Sequence, residues 1–382
     1  MWSHQTSLKI VVQRKLSFVP PYCPNTKCKW HALDRKEKGV FAKYGSRPIS
    51  QFPYFTQRYR CRNCRKVFSS SIFSISYRDR TKNTYEEIFD LFIGGYSRRQ
   101  TAEFLGCSLN TVLRRVSKMA EQGLLKQAYF ARNLKITESI AYDGLENFSF
   151  SQYDPNNINH AVGRDSLFVY DFNFAPLNRK GRMTATQRAR KQELEREFGA
   201  YPRNAIHSST KRIFKRLLER SDEELVLHSD RHYAYREVVE RMPGKSRIRH
   251  IMTPSTVARN YRNRLFAVNH LDLLTRHHLS AFKRETIAFS KHSISMIEAF
   301  ALFMVAKNFM RTMFRKKHVR DPGTNRESPA MRLGLTKKVL KFQDFFRLRL
   351  MRTQVSLNED WQEFIRRTDP TSRRKINQFR AA

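Results

Sequence analysis

Four of the five cysteines stand as two close pairs near the start of a 382-residue chain: Cys23 and Cys28 in CPNTKC, and Cys61 and Cys64 in CRNC. Two short knuckles of this kind each present two thiolates to a single tetrahedral ion, and zinc is the ion that suits the set. A segment organised this way folds around its metal and collapses without it. Arg58, Tyr59, Arg60 and Arg62 surround the second pair, and their positive charge is expected to keep its thiols deprotonated. Pairing in the first part of a long chain argues for a reducing compartment rather than a disulfide framework. Cys107 stands apart in an expected helical segment and reads as a small core residue.

The remaining text is strongly basic. Lys and Arg number 73 against 34 Asp and Glu, a formal charge of +39, which no globular core requires. A polyanionic partner is implied. Nucleic acid is favoured over a membrane surface, because the start of the chain carries no signal-peptide pattern and the most apolar stretch, SMIEAFALFMVAKNFM, is interrupted by Glu298 and Lys307 and reads as a buried helix. A hydrophobic content of 40% supplies a core for two or three domains.

Between Thr84 and Leu125, Ile88, Leu91, Phe92, Ala102, Leu105, Leu109, Val112, Val116 and Met119 recur at helical spacing. Three short helices are expected, the second capped by Ser97 and the third by Ser108, with Gly106 in the turn. This is the pattern of a helix-turn-helix. Its third helix would enter the major groove of double-stranded DNA, with Asn110, Thr111 and Arg114 toward base edges and Arg115 and Lys118 toward phosphates.

After a basic joining segment at 126–135, the strands ESIAYDGLENFSF and DSLFVYDFNFAPL open an α/β domain. Asp143, before Gly144, is expected at the end of the first strand, and LVLHSD delivers Asp230 at the end of another. The helix KRIFKRLLERSDEE between them permits neighbouring parallel strands, which would set the two aspartates side by side. Converging carboxylates call for hard divalent cations, Mg²⁺ or Mn²⁺, and a pair of such ions catalyses phosphoryl transfer. Three acids compete for the third position: Asp272 first, because Arg276 lies one turn onward and can neutralise it or hold a DNA phosphate, then Glu285, then Glu298. Each acid also has a plain structural reading, as a turn former, a helix cap or an ion-pair partner; the assembly carries the catalytic one. Tyr142 and Tyr170 are weaker candidates for a covalent nucleophile.

At these residues the chain resembles bacterial insertion-sequence transposases that combine a zinc ribbon, a helix-turn-helix and a ribonuclease-H-like DDE domain. The resemblance rests on CPNTKC with YRCRNCRKVFS, on YDGLENF, on HSDRHYAY, on VNHLD with KRETIAFSKH, and on the late ESPAMRLGL. It implies a ribonuclease-H-like mixed sheet, two catalytic divalent ions, and recognition of terminal inverted repeats by the N-terminal modules. Asp143 and Asp230 match the first two acids; at the third, Asp272 stands where such families more often carry Glu. The mechanism implied activates water or a 3′ hydroxyl with one ion and stabilises the leaving oxygen with the other, so that a nicked end attacks target DNA. A homo-oligomeric synapse in the bacterial cytoplasm, at the nucleoid, goes with that function. The competing reading is a non-catalytic DNA-binding regulator descended from a transposase.

These readings divide the chain into a zinc ribbon at 15–78, a helix-turn-helix at 82–127, a ribonuclease-H-like domain at 136–312 with an inserted basic segment near 179–200, and a basic C-terminal tail at 313–382, poorly ordered from about Arg367.

Overall fold

The computed structural model describes residues 18–33, 39–49, 55–79, 84–283, 286–314, 316 and 325–368. The chain divides into two compact units, 1–82 and 83–382.

The first unit is a three-stranded antiparallel sheet of β1 (Phe41–Pro48), β2 (Phe55–Cys61) and β3 (Val67–Ser69), in that order. Its apolar core is a small aromatic cluster, with Tyr22 set edge-on to Phe73 at 4.9 Å and Phe68 against Phe73 at 5.7 Å. A core this small is marginal alone, so the fold depends on what its cysteines hold.

The second unit begins with α1 (Tyr85–Ile93), α2 (Arg98–Phe104) and α3 (Leu109–Phe130). Ser97 and Gln100 form a reciprocal capping box at the start of α2, and Ser108 accepts the Thr111 N–H at the start of α3. Gly106, at φ +57°, takes the left-handed turn between them. Cys107 is half-buried in that turn, not in a helix. The third helix is not short: it runs 22 residues, through the first half of the stretch expected to be a basic joiner. Lys126 and Gln127 are buried there because their polar ends find carbonyls, Lys126 on Phe345 and Gln127 on Val169. Such satisfied ends allow polar residues in a core helix, which a charge pattern does not reveal.

The second sheet has the order β6-β5-β4-β7-β8, from β4 (Ile140–Phe148), β5 (Pro155–Gly163), β6 (Val169–Pro176), β7 (Leu225–Asp230) and β8 (Ile248–Thr253). β4, β5 and β6 form an antiparallel meander, whereas β7 and β8 run parallel to β4. One face is covered by α5 (Ala205–Glu219) and α6 (Tyr233–Arg241), where Tyr142 packs on Phe214 at 4.7 Å and on Tyr235 at 4.9 Å. The other face meets α7 (Phe266–His278) and α8 (Ser293–Val305), with Asn147 donating to the Ala281 carbonyl and His160 against Phe300. The 18 residues Ser293–Met310 are long and apolar enough to cross a membrane, yet 78% of the stretch is buried within the fold. α4 (Ala185–Phe198) is the inserted basic segment, a solvated helix laced by Arg190–Glu193 and Lys191–Glu195 pairs.

Residues beyond 313 were expected to form a tail; instead α9 (Pro329–Arg332), α10 (Phe342–Phe346) and α11 (Glu359–Arg366) belong to the second unit. Trp361 donates to the Phe172 carbonyl on edge strand β6, and Asp360 pairs with Arg212 at 2.7 Å and Arg216 at 2.8 Å. Apolar anchors and buried ion pairs hold this segment despite its net positive charge. The expected disorder from Arg367 falls largely on 369–382, outside the described residues.

Candidate functional site

In the first unit the ligand atoms of Cys23, Cys28, Cys61 and Cys64 all lie within 4.8 Å of one another. The Cys23 and Cys64 sulfurs are 3.5 Å apart and those of Cys28 and Cys61 are 3.8 Å apart. Four bonds of ~2.3 Å to a tetrahedral zinc place sulfurs about 3.8 Å apart, so the set fits that ion. Burial, with the neighbouring sulfurs, pushes the Cys23 thiol up, and burial also raises Cys61. At Cys64 burial is outweighed by the Lys66 backbone N–H and the Asn25 side chain, which bring the thiol down to about 7. Backbone and amide donors, not the arginines expected from the sequence, therefore favour the thiolate. Arg58 and Arg60 instead lie over the Tyr44 ring, at 5.5 and 4.0 Å.

The second cluster lies in the sheet of the second unit. The β4–β7 ladder ends at Ala141 opposite His228, and carrying that register two residues on places Asp143 beside Asp230. Asp143 is thus in the middle of β4 rather than at its end, but at the point where the parallel ladder opens. Crevices at the carboxyl ends of parallel strands are where ligands approach a sheet. Asp230 spends one oxygen on the His232 N–H at 2.9 Å, shaping the turn into α6, and Asp143 accepts the Gly144 N–H at 2.7 Å. Gly144 is needed: a Cβ there would stand 2.0 Å from Asn157 Nδ2.

Asp272 joins them from α7. Burial first, then the charge of Asp272 and, more weakly, that of Asp230, push the Asp143 carboxyl up to about 7. Asp143 therefore feels both other acids. His160, the cross-strand partner of Asp143 on β5, is fully buried and sets Nε2 3.2 Å from Asp272 Oδ1. Burial alone would lower its pKa, but Asp272 and Asp143 outweigh that and raise it.

Other expected residues are placed elsewhere. Arg276 donates to the Glu146 carbonyl at 3.2 Å, and the ion-pair partner of Asp272 is His160. Glu298 is engaged by Arg98 at 3.3 Å, by Ser117 at 2.5 Å and by Arg367 at 3.4 Å, tying α8 to α2 and α3. Glu285 lies outside the described residues. Tyr142 is buried with its hydroxyl bonded to Thr210, and Tyr170 donates to Glu138; burial drives both phenols up, which disqualifies them as nucleophiles.

On α3, Asn110 and Arg114 are exposed and Thr111 and Lys118 half-buried. Arg115 is buried, donates to Thr84 and lies over Tyr85, so its expected phosphate role gives way to a core one. Lys180, in the segment leading to α4, and Glu146 both influence His232, which sits beside Asp230. The inserted basic segment thus adds positive charge to the surroundings of His232. His160 and Glu146 escaped the sequence reading, whereas Lys180 lies in the inserted basic segment; for His160 the signal was the polar run NNINH, a buried strand.

No known protein-family model matches the chain.

Proposed function

We propose that the chain is a DNA-cleaving and strand-transferring enzyme of an insertion sequence, with a ribonuclease-H-like catalytic fold, a structural zinc and a pair of Mg²⁺ or Mn²⁺ ions at Asp143, Asp230 and Asp272. The observation that carries the reading is the convergence of these three carboxylates where two parallel strands part, in a chain of net charge +39.

The donor set suits hard divalent cations. All three ligands are carboxylates, the oxygen donors that hard divalent cations prefer. Burial first, then its acidic neighbours, raise Asp143, and His160 offsets this only in part, so a cation would supply further counter-charge. Among the described residues the four cysteines are the one set gathered closely enough to hold an ion by themselves, and the three aspartates are not such a set. Asp143, Asp230 and Asp272 would share a pair of divalent ions rather than enclose a single one, as phosphoryl transfer requires. When bound, such ions lower the pKa of water and stabilise the charge leaving a phosphodiester.

The protein's own residues supply the rest. Asp143 must give up its proton before it can serve as a ligand, so activity should climb as pH rises through about 7. Exposed Arg231 and Lys180 meet DNA phosphates at the mouth, while Asn110 and Arg114 read the duplex. Binding is to terminal repeats and target DNA, by a homo-oligomer at the bacterial nucleoid.

The test is strand cleavage of DNA taken from the genomic flanks of the coding sequence, with Mg²⁺ or Mn²⁺. Cutting by the wild type, lost in Asp143→Asn, Asp230→Asn and Asp272→Asn with DNA binding retained, supports the reading. A zinc-loaded wild type that binds those flanks but cuts under no metal condition is a regulator instead.

A further inference from the structure

We infer that His160 is a positioning residue that holds the Asp272 carboxylate for the divalent ions; this rests on the function proposed above. β5 carries His160 opposite Asp143, so the ring projects on the face that α7 covers. The imidazole is fully buried, with Phe300 at 6.0 Å between ring centroids and Phe172 as its cross-strand neighbour on β6. The outer nitrogen of the ring lies within reach of the Asp272 carboxylate.

The tautomer follows from what each nitrogen faces. Nδ1 lies 3.0 Å from the Ile158 carbonyl, which can only accept, so Nδ1 carries a hydrogen. Nε2 is left toward Asp272 Oδ1 at 3.2 Å, and neither atom has an aligned hydrogen-bond partner. A carboxylate oxygen and an imidazole nitrogen this close tolerate each other only with a proton between them. His160 is therefore fixed at one edge by backbone and offers the other edge to the acid.

A histidine buried only for packing would have no reason to turn its free nitrogen to an otherwise unsatisfied carboxylate. The arrangement is that of an outer partner which orients a metal-binding carboxylate, and loss of such partners typically costs roughly 10- to 100-fold in metal affinity. It also bears on why a short Asp serves here. The side chain on α7 is steadied from the sheet, from the strand next to the one that carries Asp143.

The experiment measures Mn²⁺ binding to the zinc-loaded full chain by calorimetry, with Asp143→Asn as the blank for the acidic site. His160→Leu keeps volume but removes the donor, whereas His160→Gln keeps an N–H donor. The expected result is affinity weakened about tenfold or more in His160→Leu and restored to within about threefold in His160→Gln. Equal affinity in wild type and His160→Leu, at whatever cost in melting temperature, overturns the role. Mn²⁺ binding that is absent from wild type, or insensitive to Asp143→Asn, overturns the catalytic reading and this inference with it. Should His160→Leu not fold, the histidine side-chain ¹⁵N signals of the wild type decide. The His160 resonance, assigned by its loss in His160→Gln, must shift along the Mg²⁺ binding curve, and an unmoved resonance overturns the proposal.

Discussion

The cysteine cluster and the aspartate cluster both gather groups that repel one another once ionised, yet they are built in opposite ways. The four sulfurs close on one point, 3.5 and 3.8 Å apart in pairs, on a unit with too small a core to stand alone. The three aspartates are carried by two neighbouring parallel strands and the helix α7 of the larger unit. On the proposed reading an ion would make the first fold, whereas the second would be formed before its ions bind. Closed soft-ligand sets are structural, and open hard-ligand sets leave room for substrate.

Zinc removal gives the largest contrast between them. Structural zinc contributes on the order of 10 kcal/mol to small metal-folded units. Stripping it, or substituting Cys61→Ser, should erase hydrogen-exchange protection across 18–79 and leave that of 84–368 nearly unchanged. Protection surviving in 18–79 would mean that the aromatic cluster suffices.

The aspartate cluster should respond to pH instead. Asp143 titrates near 7 in the fold against 3.8 for the free group, so the native state holds an extra proton between those values. Stability of the magnesium-free protein is then highest below about pH 4 for this group and falls as pH rises through 7. Asp143→Asn removes that loss and should be the more stable chain at pH 8, by about 4 kcal/mol at most, with the gap closing toward pH 4. Denaturant melts at the two pH values measure it; a destabilised Asn variant at pH 8 would mean that the acids are not in strain.

Adjacent arginines on α3 give a smaller test. Arg115→Ala should cost roughly 2 kcal/mol of stability, since it leaves a buried contact empty. Arg114→Ala should leave the melt unchanged and weaken DNA binding between roughly 5- and 100-fold. Reversal of the two effects would mean that α3 does not face DNA as proposed. Least of all, Lys180→Ala should lower DNA affinity a few-fold and reduce its salt dependence by about one ion.

Local chemistry was the legible part of this chain. Ser97, Gly106 and Ser108 announce a turn between two helices because caps and a left-handed glycine are decided within a few residues. The cysteine spacing is equally local. Asp143 and Asp230 could be paired as ends of neighbouring parallel strands, although β5, β6 and α4 as well as α5 lie between them. What failed to show was set by distant partners. β5 opens with Pro155 and carries three asparagines, residues depleted in strands, and it is stabilised by side-chain bonds such as Asn157 to Asn159 and Asn159 to Asn173. His160 is hidden in the same run. Arg115 cannot be told from Arg114 by sequence, because only Thr84 and Tyr85 make one of them a core residue. The last helix, α11, is held by Arg212 and Arg216, more than a hundred residues earlier.

The most direct test of the central claim is anomalous scattering from crystals of the zinc-loaded protein soaked in Mn²⁺. The account predicts a zinc peak among Cys23, Cys28, Cys61 and Cys64, and separate manganese density bounded by Asp143, Asp230 and Asp272. A zinc peak with no manganese between the aspartates would contradict it.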